Sequence, residues 1–367
     1  MNILNVTTMQ GLRGGDAQMY TIYNLLKNKT DLKQYILCPE DADLALMCTT
    51  DNANLITYIH NRYKKINAIK CIIKSCKLHK IDLIHVHDST ALTCSLIAMK
   101  FLNYQPKLVL SRKRNNKIKP FFLNKYKYSH PYITKIVSVS KAVEAIFDDI
   151  ITDKNRLLTI YDAIDVQKVV EKSNTKILHK EFKLKDETLI VGNIAGLDDQ
   201  KDLFTFIDTA KIIKDSAENS PDIKFFILGR GPKKEALEEY IALNQLENEV
   251  ILAGFRSDVL DILPEFDLLL MTSIEEGLPL SIYEAFAAKV PVVSTDAGGI
   301  KEVVLTNETG FVTKQKDAAT LAKIGLEVLK NAALRKYITQ NAFKVVQEQH
   351  DLKNFAENYY NFYKSLA

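Results

Sequence analysis

The chain reads Met271-Thr-Ser-Ile-Glu-Glu-Gly-Leu-Pro-Leu-Ser-Ile-Tyr-Glu-Ala-Phe-Ala-Ala-Lys-Val-Pro-Val-Val-Ser-Thr-Asp-Ala-Gly-Gly299 in its C-terminal third. Apolar runs stand on either side, Asp267-Leu-Leu-Leu-Met-Thr before and Pro291-Val-Val-Ser-Thr after. Short continuous apolar runs of this kind suit strands buried on both faces. Between them lie a Gly-Pro loop and a helical stretch, so the unit is strand–loop–helix–strand. Ligands in such units bind at the carboxyl ends of the strands. Pro279 suits the first helical turn, where its missing N–H costs nothing. The open N–H groups there face any bound anion, and Gly277 lets main chain come close. Glu276 and Glu284 stand eight residues apart. An ionised carboxylate accepts from two sugar hydroxyls at once. A phosphate on backbone N–H groups with sugar hydroxyls on carboxylates is a grip for a nucleotide-sugar.

Working outward, the 367 residues suffice for two domains, and 47% hydrophobic with 26% charged residues is a globular composition. No apolar run approaches the ~20 residues of a membrane span. The chain starts as a strand, Ile3-Leu-Asn-Val, without signal-peptide features, so a cytoplasmic protein is expected. The five cysteines show no CxxC spacing. They read as reduced thiols, and no metal site is expected.

Strands and amphipathic helices alternate through the first half. Strands are expected at Ile3-Leu-Asn-Val, Tyr35-Ile-Leu-Cys, Leu83-Ile-His-Val, Lys107-Leu-Val-Leu and Ile136-Val-Ser-Val, with helices after Gly15 and from about Leu55 to His79. A polar, Lys-rich break falls near Asp165–Lys185. The pattern then restarts with Leu189-Ile-Val-Gly, Lys224-Phe-Phe-Ile-Leu and Val250-Ile-Leu-Ala. Two such series argue for two Rossmann-like domains with parallel sheets, residues 1–165 and 186–351. The last helix, 352–367, is rich in Tyr and Phe.

Charge is uneven. Residues 1–165 hold 24 Lys or Arg against 14 Asp or Glu, and the remainder 25 against 31. From Ser89 to Val143 there is no acid but 11 basic residues, interleaved with Phe121, Phe122, Tyr126 and Tyr128. That stretch suits an anionic membrane face, an anionic acceptor, or simple solvation.

Glu276-Gly-Leu-Pro-Leu-Ser-Ile-Tyr-Glu284-Ala resembles the signature of the retaining family 4 glycosyltransferases. Gly11-Leu-Arg-Gly-Gly15, Val191-Gly-Asn-Ile-Ala-Gly-Leu-Asp-Asp-Gln-Lys201, Phe226-Ile-Leu-Gly-Arg-Gly231 and Thr295-Asp-Ala-Gly-Gly299 fall in that family's order. The resemblance implies a GT-B fold: two Rossmann-like domains facing a cleft, with the C-terminal helix crossing back to the first. It implies that Glu284 holds the ribose and Glu276 the transferred sugar. Leu278 and Pro279 accompany them, and Lys201 faces the diphosphate. Gly14, Gly15, Gly298 and Gly299 would offer helix N-termini to the donor. His87 and Asp88, after Leu83-Ile-His-Val, would orient sugar or acceptor.

The chain departs from that family in two places. Asn193 stands where an Arg is usual, so Arg230 or Arg13 would have to supply the charge. Ser111-Arg-Lys-Arg-Asn115 stands where another His is common, which puts Arg112 and Arg114 on the acceptor side. Blander readings stand beside these: Ser140 as a helix cap, Glu302 as a first-turn acid.

The expected activity is retaining, metal-independent transfer from a nucleoside-diphosphate sugar, by family frequency a UDP-sugar, to a glycan or lipid-linked acceptor of a cell-surface polysaccharide or lipopolysaccharide. The donor is a substrate, so no cofactor is expected, nor a nucleic-acid partner. A nucleotide-sugar 2-epimerase and a non-enzymatic two-lobed binding protein are the alternatives.

Overall fold

The computed structural model describes residues 1–11, 14–119, 121–216 and 222–367. The chain forms two compact units: Met1–Asp162 with Lys353–Ala367, and Ala163–Leu352.

In the first unit seven parallel strands are ordered β3-β2-β1-β4-β5-β6-β7. They are β1 (Asn2–Val6), β2 (Lys33–Pro39), β3 (Leu55–Tyr58), β4 (Leu83–Val86), β5 (Lys107–Arg112), β6 (Ile133–Ser138) and β7 (Leu157–Thr159). All four β4 residues are buried, as expected of a strand covered on both faces. His85 is its polar member. Its Nδ1 meets the Tyr363 hydroxyl and its Nε2 the Ser111 hydroxyl, each at 2.8 Å. Tyr363 comes from the C-terminal helix Leu352–Ser365, which buries Phe355, Tyr359, Phe362 and Tyr363. Their spacing is one apolar helical stripe, and it carries the chain end back onto the first unit.

The second unit holds six parallel strands ordered β10-β9-β8-β11-β12-β13. They are β8 (Leu189–Ile194), β9 (Ile223–Leu228), β10 (Val250–Gly254), β11 (Leu268–Met271), β12 (Val292–Thr295) and β13 (Phe311–Thr313).

Two expectations change. The helix expected from Leu55 to His79 is a strand followed by the helix Lys64–His79. Leu-Ile-Thr-Tyr is strand-favouring and pairs with β2 from Ile36↔Leu55 to Pro39↔Tyr58. The Lys-rich break near 165–185 contains two short helices, Val166–Val170 and Ile177–Glu181, within the second unit. The second is pinned by Glu265, whose buried carboxylate accepts from the Leu178 N–H at 3.1 Å and meets His179 Nδ1 at 3.1 Å.

Each sheet reverses its strand order once, between β1 and β4 and between β8 and β11. A crevice outside the carboxyl ends of the strands is expected at those two points.

Candidate active site

The loop after β8 carries Lys201 and the loop after β11 carries Glu276, so both stand at the second switch point. Lys201 Nζ lies 2.6 Å from Glu276 Oε1, which also accepts from the Ser273 hydroxyl at 2.7 Å. The side chains are 20% and 9% exposed, so the pair is largely shielded from water. Among the described residues nothing bonds Glu276 Oε2, which leaves an acceptor open. Thr272 Oγ1 donates to the Lys201 carbonyl at 3.0 Å. Asp202, next in the chain, is held at φ +44°, a conformation few side chains adopt. Lys201 is thus fixed at both backbone and ammonium.

Neighbouring loops are laced together. Ile274 N–H donates to the Gln200 carbonyl at 2.8 Å and Gly299 N–H to the Gly277 carbonyl at 3.0 Å. Gln315 Nε2 donates to the carbonyls of Ile274 at 3.0 Å and Asp296 at 2.7 Å.

Glu284 lies on the helix Leu280–Ala287 and is half-buried. Desolvation raises its carboxyl above the ordinary carboxylate range. No group among the described residues hydrogen-bonds that carboxylate. Pro279 precedes the helix as its N-cap, in extended backbone, one step earlier than expected. Leu278 beside it is buried. Gly298 takes φ +58°, which glycine adopts without strain. The helix expected after Gly299 is only the 3₁₀ turn Ile300–Glu302.

Asn193 is buried and donates to the Leu270 carbonyl at 2.7 Å, tying β8 to β11. It serves the sheet and supplies no charge. Arg230 is exposed, with its guanidinium 4.9 Å from the Phe255 ring centre. Arg13 lies outside the described residues.

At the first switch point the helix Gly14–Leu26 begins at the expected glycines. A Cβ on Gly15 would stand 3.5 Å from the His87 carbonyl, so the two loops touch there. His87 is buried and neither ring nitrogen has a partner. Its ring lies 4.3 Å from that of His85. Burial, with smaller contributions from His85 and Lys113, holds its pKa well below the usual value. The neutral ring therefore keeps one N–H and one lone pair unsatisfied.

Asp88, expected on the acceptor side, is largely committed to the fold. It caps the helix Ser89–Met99 through the N–H groups of Thr90 and Ala91, each at 2.8 Å. It also accepts from Thr8 N–H at 2.6 Å and Thr8 Oγ1 at 2.8 Å. Arg112 braces its own loop, donating to the carbonyls of Arg114 at 3.0 Å and Asn116 at 2.8 Å. Arg114 is exposed. A cavity of about 300 Å³ is lined by Gly15, His87, Asp88, Arg112, Lys113 and Arg114 among others.

Lys113 lies outside the expected set. It is paired with Asp162, which also accepts from Gln18 Nε2. Burial lowers its ammonium to about 8, outweighing the attraction of Asp162. Its basic run was visible in the sequence, but its partner stands 49 residues on.

Two parallel-sheet units of this topology are those of the two-domain α/β GT-B fold. The family described as Glycosyl transferases group 1 matches residues 174–345. A 2-deoxystreptamine N-acetyl-D-glucosaminyltransferase of Niallia circulans is 26% identical over 81% of this chain and 80% of its own. An N-acetyl-alpha-D-glucosaminyl L-malate synthase of Bacillus anthracis is 23% identical over 77% of this chain and 74% of its own. The structure of Anabaena HepE in complex with UDP and glucose superposes with a TM-score of 0.84 at 19% identity, covering all of both chains. Residues 174–345 therefore carry a match to the group 1 glycosyltransferases, within the second unit.

Proposed function

We propose that this enzyme moves a sugar from a UDP-sugar, with retention, onto a glycan or lipid-linked acceptor of a cell-surface polysaccharide, of which lipopolysaccharide is one kind. The observation that carries the donor side is Glu284: a half-buried carboxylate, raised by desolvation and without a hydrogen-bond partner among the described residues. Ribose hydroxyls would satisfy it. Glu276, with Oε2 open, would accept from the transferred sugar. Lys201 and the open N–H groups that begin the helix Leu280–Ala287 would hold the diphosphate, with Arg230 as further charge and Gly277, Gly298 and Gly299 letting main chain approach. The complex of HepE with UDP and glucose supports a uridine donor.

In the proposed step the bond from the anomeric carbon to the diphosphate breaks, and the acceptor oxygen bonds to that carbon on the same face. The leaving diphosphate oxygen takes the acceptor's proton. Lys201 and the backbone N–H groups stabilise charge as it develops on that oxygen, so no metal is required. His87 would meet a substrate hydroxyl with its unsatisfied nitrogens, and Arg114 an anionic part of the acceptor. We place the enzyme in the cytoplasm, peripheral on an anionic membrane face. Among the described residues no helix is long and apolar enough to cross a membrane.

A panel of UDP-, GDP- and ADP-sugars screened by thermal shift tests the donor, because a ligand bound only by the native state raises its stability. The expected result is a shift with one UDP-sugar. No shift with any of them would overturn the reading. Proton NMR of the product then tests retention.

A further inference from the structure

We propose that Lys117, Lys119 and Lys125, with the exposed side chains of Phe121, Phe122, Leu123 and Tyr126, dock on an anionic lipid leaflet, with a headgroup phosphate seated among the three lysines. This rests on the peripheral placement above and gives it a site. The short helix Phe122–Ser129 buries only Tyr128. Phe121, Phe122, Leu123 and Tyr126 are 66%, 80%, 74% and 54% exposed. Phe122 and Tyr126 stack at 6.4 Å, one turn apart. Scattered exposed apolar residues are ordinary, but three large ones in succession with a fourth stacked beside them mark a contact surface.

Beside this wedge lies a cavity of about 440 Å³, lined by Lys117, Lys119, Lys125, Ile146, Asp149 and Ile150 among others. Among the described residues none of the three ammonium groups has a hydrogen-bond or ion-pair partner. Asp149 is the one acid in the lining, so the cavity carries net positive charge. No acid occurs between Ser89 and Val143 to neutralise it from within the segment. Cations around a small cavity with aromatic and aliphatic side chains projecting next to them match a lipid interface. Phosphates there meet lysines, and ring and leucine side chains settle just below. A protein groove would more often receive such side chains than leave them projecting.

Each lysine near an anionic surface favours partition by about fivefold. Co-sedimentation of the full chain with phosphatidylcholine vesicles, with and without phosphatidylglycerol, at low and high salt, tests this. The parent is expected to bind only the anionic vesicles. Lys117→Gln, Lys119→Gln and Lys125→Gln together should weaken binding roughly 100-fold. Phe122→Ser with Leu123→Ser should remove the part that survives high salt. Both variants change exposed side chains and should keep the parent's turnover on a soluble acceptor. Parent protein left in the supernatant at low salt, or a triple variant that binds like the parent, would overturn the proposal. So would a serine variant that turns a dimer into a monomer without changing vesicle binding, because the face would then join two copies. Donor turnover in the same samples separates the two readings: lost vesicle binding with intact turnover rejects the docking face alone.

Discussion

The two switch points place polar groups at the same position in similar sheets and treat them in opposite ways. At the second, Lys201 and Glu276 face each other at 2.6 Å as a charged pair, and the Glu284 carboxylate has no hydrogen-bond partner among the described residues. At the first, burial keeps His85 and His87 neutral, and Lys113 is held close to losing its charge. Both have the parallel topology that opens a crevice. In the proposed reading, one crevice would offer its charge to an anionic, hydroxyl-rich ligand. The other sets the neutral rings of His85 and His87 beside the Lys113–Asp162 pair, with Arg114 exposed at its rim. Strand order places the two crevices, and the ionisation of the loop residues sets what each could hold.

The largest test of this contrast is Lys201→Ala. If Lys201 acts as the diphosphate leaves, turnover should fall about 10²–10³-fold, with a much smaller change in thermal midpoint. Steady-state kinetics beside a melting curve decides, and unchanged turnover would remove Lys201 from the site.

The twin histidines come next. His85→Leu would strand the buried hydroxyls of Tyr363 and Ser111 and should cost about 1–3 kcal/mol by urea unfolding. His87→Leu loses no protein partner. It should leave stability unchanged or raised while turnover falls about 2–10-fold. Equal destabilisation by both would show that His87 is structural.

Lys113 offers a pH test. Its folded pKa of about 8 lies below its ordinary 10.5, so above pH 8 the unfolded chain binds the extra proton. Stability should therefore rise between pH 8 and about 10.5, by at most roughly 1.4 kcal/mol per pH unit. Lys113→Met should flatten that rise, which chemical denaturation at pH 8 and 9 would reveal.

The smallest of these effects is the pH dependence of donor binding through Glu284. Its raised carboxyl must be ionised to accept two hydroxyls. Donor affinity should thus weaken on acidification, beginning at a higher pH than for an ordinary carboxylate. Calorimetry at pH 7 and 5 should show the loss in the parent and not in Glu284→Gln.

The second site was more legible in the sequence than the first. Glu276 and Glu284 are eight residues apart between two apolar strands, so one local pattern holds both. Lys201 stood out by its turn and following helix. Local pattern could not show that Glu276 is already paired with Lys201, 75 residues away. In the first unit the informative partners are far apart in sequence. His85 meets Tyr363 across 278 residues and Lys113 meets Asp162 across 49. No spacing rule links them, so the basic run was read as surface charge and Lys113 was passed over. The bonds of Asp88 were hidden for a related reason: its cap to Thr90 and Ala91 is local, but its bonds to Thr8 join the loops after β4 and β1. The strand at Leu55–Tyr58 was missed because it is only partly buried and runs into a long helix whose period extends over it. β7 and β13, three residues each at sheet edges, are shorter still.

The central claim is that the second unit grips a nucleotide-sugar through Glu284 beside the Lys201–Glu276 pair. Calorimetric titration of the UDP-sugar identified by thermal shift into the parent and into Glu284→Ala at pH 7 tests it most directly. The account predicts binding by the parent and a loss of roughly 1–3 kcal/mol, about 5- to 150-fold in Kd, in a variant that stays folded. Equal affinity in the two proteins would contradict it.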